Sequence, residues 1–421
     1  MTVTAASQRA SRTHPLVTLL RALIVLVLLA AIVAGAAVLF APAPTLAARQ
    51  LEPPPPALPA AAVDWPAQAR AAGFGVAGVD GHPDVWQSFG SEDAHPMASV
   101  TKLVTVLVVL AEHPIEGDER GPLITLGPDD VAAVAAALRE NAPVAPVYDG
   151  MQVRQRDLIE WALVDSAGNA IWSLANWAFG GIQEFESAAA DWTALHGFED
   201  TVLRDASGLD ARSVSSADDL TRIALRAVAE PVVLSTLQLE SVQIPGIGTA
   251  PNTNRLLGLH DIDGGKTGTL RVWGRNLFVT AVREIDGVER RVVGVVMGTI
   301  AADETDAAMI GLLETVWPNF ATRTIVPAGT ALAEYPVPWG PPVLAVTAAD
   351  LDAQVFGDQA PAVESTTRSV IAGSPRLQVG EARIAGSDTG VEMELTQSVP
   401  EPDPWWRLTH PATAVAWYFD D

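Results

Sequence analysis

The chain has 421 residues, no cysteine and a formal net charge of −24 at pH 7. The lack of cysteine excludes disulfides, thiolate zinc sites and cysteine nucleophiles, and nucleic acid is not an expected partner because so acidic a chain repels phosphates. The seven histidines are scattered and form no pair with metal-ligand spacing, so we expect no metal site and no other cofactor.

The first predicted element is an uninterrupted apolar run at residues 22–41. A helix of this length spans a hydrocarbon core of about 30 Å. Three arginines precede the run and the next basic residue is Arg49, so the positive-inside rule places residues 1–21 in the cytoplasm and the rest of the chain outside the cell. We therefore predict a single-pass cell-membrane protein with an uncleaved anchor. A signal peptide cleaved near residues 46–48 is the alternative.

Residues 42–62 are rich in proline and alanine, which predicts a semi-rigid extended spacer. Residues 63–322 read as a globular domain with strands first, then helices, then strands again. The predicted elements are a hairpin at 73–79 and 85–89 around Asp80-Gly81, helices at 99–112, 129–140, 157–178 and 216–228, a hairpin at 277–283 and 291–297 around Asp286-Gly287, and a closing helix at 307–317. This order favours an α+β fold in which helices cover the faces of an antiparallel sheet.

The last segment, residues 323–421, lacks helical periodicity. Proline and glycine punctuate short β-like runs, and residues 391–396 alternate strictly between polar and apolar side chains, as a half-buried strand does. We expect a small C-terminal β-rich domain followed by a tail.

Ser99-Val100-Thr101-Lys102 is the first candidate site. Residues three apart on a helix share a face, so the two polar side chains can meet. A serine hydroxyl needs a base to become nucleophilic, and a buried lysine can serve because burial lowers its pKa, whereas an arginine keeps its proton. Lys102 and Lys266 are the only lysines among 26 basic residues, which favours a role that guanidinium cannot fill. We predict Ser99 as nucleophile and Lys102 as its base.

Lys266-Thr267-Gly268 is the second candidate site. On a strand beside the cleft, the lysine and threonine would hold a substrate carboxylate, and the glycine would let the substrate backbone approach closely. The backbone N–H of Thr269 and that of Ser99 would hold an oxyanion. A phosphate-binding loop is excluded, because that motif needs a glycine where His260 stands.

Ser166 is the third candidate, in Asp165-Ser166-Ala167-Gly168-Asn169. Its hydroxyl would relay a proton between the two lysines and a leaving amine. By itself, Ser166 also fits a helix N-cap or a turn.

The three motifs together resemble the signature set of penicillin-interacting serine enzymes. The chain is similar, over residues 73–320, to D-alanyl-D-alanine carboxypeptidases of the peptidase S11 family, which are low-molecular-mass penicillin-binding proteins. Further similar stretches are 96–103, 153–170, 208–210, 216–220 and 252–257, the last being followed by Asp263-Gly264-Gly265-Lys266-Thr267-Gly268. The resemblance implies a penicillin-binding, serine β-lactamase-like transpeptidase domain, followed by the family's C-terminal β domain.

The resemblance also implies an activity and partners. Ser99, Lys102 and Ser166 would be catalytic, and Lys266, Thr267, Gly268, Thr269 and Asn169 would bind substrate. The enzyme would remove the terminal D-alanine from peptidoglycan stem peptides ending in D-Ala-D-Ala through an acyl-enzyme on Ser99, and β-lactam antibiotics would inhibit it covalently.

Two positions depart from the family pattern. Gly168 stands where the family has asparagine, and Asn169 follows one position later, so the predicted amide contact requires Asn169 to reach the substrate. The family's basic residue after the hairpin is absent from residues 298–304, so carboxylate recognition would fall to Lys266 and Thr267 with Arg271 or Arg275.

Three other functions remain as alternatives. Loss of the asparagine would suit a peptidoglycan- or penicillin-binding module that turns over poorly. A β-lactamase is less favoured because no Glu-x-x-Leu-Asn stretch occurs. A Ser-His-Asp hydrolase is disfavoured because the chain has no Gly-x-Ser-x-Gly elbow.

Overall fold

The computed structural model describes residues 15–78, 84–90 and 93–419. The predicted turn at Asp80-Gly81 and the first fourteen residues of the predicted cytoplasmic segment lie outside these ranges. The described residues divide into two compact units. The larger unit comprises Ala57–Arg323 and Ala353–Ala362. The smaller unit comprises the described residues up to Pro56, Thr324–Asp352 and the described residues from Val363 onward.

The helices are α1 Pro15–Leu39, α2 Thr101–Glu112, α3 Pro128–Arg139, α4 Gln155–Leu163, α5 Gly168–Phe179, α6 Ile182–Leu195, α7 Ala217–Ala229, α8 Pro231–Leu237, α9 Ala302–Val316, α10 Pro404–Thr409 and α11 Pro411–Ala416. The strands are β1 Thr45–Leu46, β2 Arg49–Gln50, β3 Ala71–Val76, β4 Val85–Gly90, β5 His95–Pro96, β6 Leu123–Thr125, β7 Gln152–Arg154, β8 Val214–Ser215, β9 Ser241–Ile244, β10 Gly248–Pro251, β11 Ile262–Leu270, β12 Gly274–Ile285, β13 Val288–Thr299, β14 Phe320–Val326, β15 Ala331–Tyr335, β16 Val343–Thr347, β17 Leu351–Phe356, β18 Val363–Thr367, β19 Val370–Ile371, β20 Gln378–Ile384 and β21 Gly390–Leu395.

The larger unit is built on a five-stranded sheet in the order β11-β12-β13-β3-β4, and every neighbouring pair is antiparallel. Strands β12 and β13 turn at Asp286-Gly287, where both residues have positive φ, as the favoured two-residue hairpin turn requires. Helix α7 packs on one face and α9 on the other. The predicted α+β architecture is confirmed, and β11 lies at one edge of the sheet.

Most predicted helices of this unit form, with one important difference. The single helix predicted at 157–178 is two helices, α4 and α5, separated by a short loop that contains Ser166. Ser166 has φ +66°, a left-handed conformation that no helix interior tolerates, so the apolar periodicity continues while the backbone breaks. The break turns the Ser166 side chain away from the helix axis and towards the edge of β11.

The smaller unit contains a six-stranded sheet in the order β18-β20-β21-β16-β15-β2. The alternating segment predicted at 391–396 is β21, paired with both β16 and β20. The segment that follows the sheet is not a bare tail, because it forms the short helices α10 and α11, which contact the end of α1. Within the described residues, α1 is long and apolar enough to cross a membrane.

The predicted spacer at 42–62 has a different structure from the one expected. Thr45–Leu46 pairs with Val370–Ile371, and Arg49–Gln50 joins the edge of the six-stranded sheet beside β15. Residues beyond Pro56 belong to the larger unit, where Ala61, Val63 and Trp65 pack against its core. The smaller unit therefore does not begin at residue 323, as predicted, but gathers three separate stretches of chain, because strand pairing between distant segments leaves no local sequence pattern.

Candidate active site

Ser99 lies in a tight 3₁₀ turn, Ala98–Val100, immediately before α2. Ala98 adopts φ +52°, an uncommon conformation that presents the serine at the start of the helix. One turn later, Lys102 brings its Nζ to 2.7 Å from Ser99 Oγ. The predicted pair is thus within hydrogen-bonding distance, as required of a nucleophile and its base.

The Lys102 side chain is fully buried, and its pKa is lowered from 10.5 to about 7. Burial is the main cause, because an apolar environment disfavours the charged amine, and the negative charge of Asp205 acts in the opposite direction. Lys102 Nζ also donates a hydrogen bond to the backbone oxygen of Ser207 at 2.9 Å. The amine therefore has a fixed direction and a large neutral fraction near pH 7.

Asp205 organises the loop that supplies this carbonyl. Its carboxylate accepts hydrogen bonds from the backbone N–H and hydroxyl of Ser207, from Leu209 N and from Ser213 Oγ. Gly208 in the same loop has positive φ, and a Cβ there would collide with the backbone oxygen of Ala98. Asp205 thus holds the loop tightly against the turn Ala98–Val100, which we call the nucleophile turn after the predicted role of Ser99, and it lies close enough to Lys102 to affect its pKa.

Ser166 and Lys266 form a second hydroxyl–amine pair. Lys266 Nζ lies 2.9 Å from Ser166 Oγ and 3.0 Å from its neighbour's carbonyl, Thr267 O. Lys266 is fully buried, and burial lowers its pKa well below the ordinary value. The positive charge of Lys102 lowers this pKa further, whereas the negative charge of Asp165 raises it. Because the two amines repel each other electrostatically, protonation of one disfavours protonation of the other.

The edge strand β11 carries Lys266, Thr267, Gly268 and Thr269 beside the nucleophile turn. A Cβ placed on Gly268 would lie 3.0 Å from Ser99 N and 3.0 Å from Met97 O, so only glycine allows the strand to approach the turn this closely. Thr269 is exposed at the end of the strand, opposite Arg275 of β12. Thr267 Oγ1 donates to Thr253 Oγ1 at 2.8 Å.

Asn276 connects β12 to the nucleophile turn. Its Nδ2 donates to the backbone oxygen of Pro96 at 2.8 Å, and its Oδ1 accepts from Gly298 N and Trp273 Nε1, each at 3.0 Å. The side chain is buried and directly opposite Gly268 across the two strands. Asn276 therefore fixes the distance between β11 and Ser99.

The structure does not bring Asn169 into the cleft. Its side chain is buried, Oδ1 accepts from Ala145 N at 2.9 Å and Nδ2 donates to Ala145 O at 2.8 Å. Both ends of the amide are thus engaged in holding the loop before β7, and we withdraw the prediction that Asn169 binds substrate. A Cβ on Gly168 would meet the Cβ atoms of Ala137 and Ala142 at 3.4 and 3.5 Å, which is ordinary van der Waals contact, so this position faces apolar side chains.

Of the two arginines predicted as substitutes for the missing basic residue, Arg271 is exposed at the hairpin turn. Arg275 is half-buried and lines a small cavity of about 40 Å³ with Thr267 and Thr253.

The sequence analysis did not identify Asp205 and Asn276 as residues of the site. Asp205 lies just before the noticed segment 208–210, whereas nothing local distinguishes Asn276.

Comparison with known proteins identifies the family of the chain. The sequence pattern of the peptidase S11 family, D-alanyl-D-alanine carboxypeptidase, matches residues 86–301, just over half of the chain. The D-alanyl-D-alanine carboxypeptidase DacD of Salmonella typhimurium is 32% identical over 240 residues, which cover 55% of this chain and 59% of that protein. A D-alanyl-D-alanine endopeptidase of Pseudomonas aeruginosa is 32% identical over 142 residues, 33% of this chain and 41% of that protein. The chain thus spans about three fifths of the length of DacD.

Solved structures show the same fold. Penicillin binding protein 5 from Haemophilus influenzae aligns with a TM-score of 0.55 at 21% identity, covering 83% of this chain and 99% of that one. Penicillin binding protein 6B from Escherichia coli aligns with a TM-score of 0.55 at 23% identity, covering 80% and 100%. With its motifs, its fold and the matched sequence pattern, the chain belongs to the peptidase S11 family, the D-alanyl-D-alanine carboxypeptidases.

Proposed function

We propose that this protein is a serine-type D-Ala-D-Ala carboxypeptidase that removes the terminal D-alanine of peptidoglycan stem peptides. The observation that carries the proposal is the Ser99–Lys102 pair, a hydroxyl 2.7 Å from a buried amine whose pKa is about 7. A neutral amine at this distance can accept the serine proton at physiological pH, so no further base is needed for the attack.

In the first half-reaction, Ser99 Oγ bonds to the carbonyl carbon of the D-Ala-D-Ala peptide bond while Lys102 Nζ takes its proton. The backbone N–H groups of Ser99 and Thr269 hold the resulting oxyanion. The carbon–nitrogen bond then breaks, and the departing amine takes a proton from Ser166 Oγ, which is resupplied by the lysines. The products are an ester on Ser99 and free D-alanine.

In the second half-reaction, water attacks the ester carbonyl after giving a proton to Lys102. The ester bond breaks, Ser99 recovers its proton and the shortened stem peptide leaves as a carboxylic acid. A β-lactam would follow the first half-reaction at its ring amide. Its leaving nitrogen stays tethered to the acyl group, so the ester persists and blocks the site.

Two measurements test this function. Fluorescent penicillin should label the wild-type chain covalently and leave Ser99→Ala unlabelled, and incubation with a pentapeptide stem should release D-alanine detectable by mass spectrometry. Lys102→Arg is the sharper variant, because guanidinium occupies the site but keeps its proton, and labelling should slow by roughly 10²–10⁴-fold. Absence of a covalent adduct on the wild type would refute the proposal.

A second candidate function is favoured by Gly168. The family's asparagine side chain is missing, and a side chain at this position would begin in contact with Ala137 and Ala142. This observation supports a peptidoglycan-binding module that acylates but turns over slowly. Penicillin labelling without catalytic release of D-alanine would favour this function over the carboxypeptidase.

We further propose that α1 is an uncleaved membrane anchor, with residues 1–21 in the cytoplasm and the larger unit outside the cell. The pairing of Thr45–Leu46 with Val370–Ile371 supports retention of the helix, because cleavage near residue 48 would remove a strand that the smaller unit uses. The intact mass of the protein purified from membranes should include the N-terminal helix. A mature protein beginning near residue 49 would contradict the uncleaved anchor while leaving the proposed enzymatic activity intact.

A further inference from the structure

The turn that joins β11 to β12 ends in a tryptophan. The backbone N–H of Trp273 donates to Leu270 O at 3.1 Å, which closes the turn, and Leu270 pairs with Gly274 across it. The Trp273 side chain is half-buried, whereas Arg271 and Val272 just before it are exposed. The indole ring therefore lies against the protein while the tip of the turn is open to solvent.

The indole ring stacks on His95, which lies in β5. The two ring centroids are 4.5 Å apart and the ring planes are inclined by 22°. The guanidinium of Arg70 lies 4.8 Å from the centroid of the same indole, a distance at which a cation is attracted to an aromatic ring. The Nε2 atom of His95 is buried without a hydrogen-bond partner among the described residues. The face of the imidazole, rather than this nitrogen, therefore makes the contact.

Neighbouring strands accommodate the indole ring. Gly298 of β13 has φ +74°, and a Cβ there would lie 2.8 Å from Trp273 Cζ2, so a side chain at this position would displace the ring. Trp273 Nε1 donates to Asn276 Oδ1 at 3.0 Å, and Asn276 Nδ2 donates to Pro96 O at 2.8 Å. Pro96 follows His95 in the chain. The indole is thus joined to the same short segment twice, through its face and through its N–H.

This contact links the two stretches of chain that carry the predicted oxyanion donors. Ser99 comes four residues after His95, and Thr269 comes four residues before Trp273. Such donors are effective only when both N–H groups reach the oxyanion at about 2.7–3.1 Å. The distance between the two N–H groups therefore depends on how firmly the turn after Thr269 is held to the segment before Ser99.

We propose that Trp273 and His95 are positioning residues for acylation, because their stacked rings hold the Thr269 N–H in register with the Ser99 N–H. Neither side chain is assigned a contact with the substrate, since both act through the backbone of β11 and of the nucleophile turn. This inference rests on the proposed function of the site. It predicts an effect on the chemical step rather than on the initial binding of substrate.

Stopped-flow acylation by a fluorescent penicillin tests the proposal. Measured over a range of penicillin concentrations, it gives the dissociation constant of the non-covalent complex and the rate constant of acylation separately. Trp273→Ala should lower the rate constant by roughly 10- to 100-fold, because a displacement of about 1 Å is enough for such a loss. The dissociation constant should change by less than about threefold.

Variants of His95 examine the stack from its other side. His95→Ala should slow acylation as Trp273→Ala does, whereas His95→Phe keeps an aromatic face and should stay within about threefold of the wild type. Combining Trp273→Ala with His95→Ala should slow acylation no further than the slower single variant, because both remove the same contact. Losses that multiply in the double variant would overturn the proposed pair.

A second tryptophan–histidine contact supplies the matched control. The rings of Trp177 and His113 lie 4.6 Å apart where α2 ends, and α2 is 12 residues long, so this contact is about 18 Å along the helix from its start beside Ser99. Trp177 is half-buried, as Trp273 is. Trp177→Ala should therefore lower thermal stability and leave the rate constant of acylation unchanged.

The outcomes separate this inference from the proposed function. If the wild type is acylated and Trp273→Ala keeps its rate constant, or if Trp177→Ala is slowed equally, the positioning role is wrong and the enzymatic function stands. If the wild type forms no covalent adduct, the proposed function itself is wrong. Rate constants refer only to molecules that become labelled, so a variant that is partly unfolded still gives a valid comparison.

Discussion

Two lysines in a chain that otherwise uses arginine carry the proposed chemistry of this protein. Both are fully buried, and each lies within 3 Å of a serine hydroxyl. Arginine in either place would remain charged and could not exchange a proton. The scarcity of lysine therefore agrees with the proposal that these two positions require a titratable amine.

The first prediction concerns pH. Burial lowers the pKa of Lys102 to about 7, so the base is protonated and inactive below that pH and neutral above it. The second-order rate of penicillin acylation should rise about tenfold per pH unit below pH 7 and level off above about pH 8. A stopped-flow pH profile measures this rate. A profile that rises only where an ordinary lysine loses its proton would contradict the assigned base.

The second prediction assigns Asp205 as a positioning residue. Its negative charge raises the pKa of Lys102, so Asp205→Asn should lower that pKa further and shift the midpoint of the pH profile downward. Asp210→Asn is the matched control, since Asp210 lies in the same loop and pairs with Arg212. A purely structural role for Asp205 would reduce the rate without moving the midpoint, and would refute this assignment.

At this scale the sequence correctly predicts the contact between Ser99 and Lys102 but misplaces the side chain of Asn169. Ser99 and Lys102 are three residues apart on one helix start, so their contact follows from local geometry. Asn169 is one residue from the expected place, yet it binds the backbone of Ala145. The direction of an amide depends on which backbone groups are unpaired nearby, and that is decided by packing between distant segments.

At the scale of elements, the candidate site forms where the start of α2 packs beside the edge strand β11. The Asp286-Gly287 turn specifies the β12–β13 hairpin, and the β11–β12 register places Gly268 opposite Asn276. Hairpin turns and apolar alternation are local signals, so these strands are predictable. The helix break at Ser166 is not, because its φ of +66° is imposed on a residue type that does not require it.

The third prediction tests the hydrogen bonds by which Asn276 holds β12 to the segment before Ser99. Asn276→Ala removes the hydrogen bonds to Pro96, Gly298 and Trp273, so β11 and the nucleophile turn should separate slightly and acylation should slow by roughly 10- to 100-fold. Asn319→Ala is the matched control, since Asn319 makes a similar set of hydrogen bonds to Ala62 and the end of α9.

Thermal unfolding should show a comparable loss of stability in both asparagine variants, on the order of 1–3 kcal/mol. Only Asn276→Ala should be slow in penicillin labelling at a temperature where both proteins are folded. Equal labelling rates in the two variants would show that Asn276 contributes stability alone.

At the scale of the whole molecule, the smaller unit is assembled from three separate stretches of chain. Composition and periodicity identify the β character of the last hundred residues, but the two strands supplied by residues 45–50 look like a proline-rich spacer. Pairing partners about 280–330 residues apart leave no mark in a local window.

The fourth prediction follows from this assembly. A chain that begins at Pro42 keeps both strands, whereas one that begins at Leu51 loses the β1–β19 pair, the β2 edge strand and the ion pair between Arg49 and Glu334. The shorter chain should unfold at a lower denaturant concentration, because its free energy of unfolding should be lower by about 1–3 kcal/mol. Penicillin labelling of the two should be equal. Identical unfolding curves would show that the strands are dispensable.

The burial of both lysines has a practical consequence for covalent chemistry. Activated esters and aldehydes react with neutral amines, and no lysine side chain is offered to them on the protein surface. A bulky biotinylation reagent should therefore leave the two lysines of this protein unmodified, even where the protein is abundant. An electrophile small enough to enter the cleft would meet Lys102, an amine whose pKa of about 7 leaves a substantial part of it neutral at neutral pH. Reagents that are indiscriminate on most proteins would here become selective for the active site.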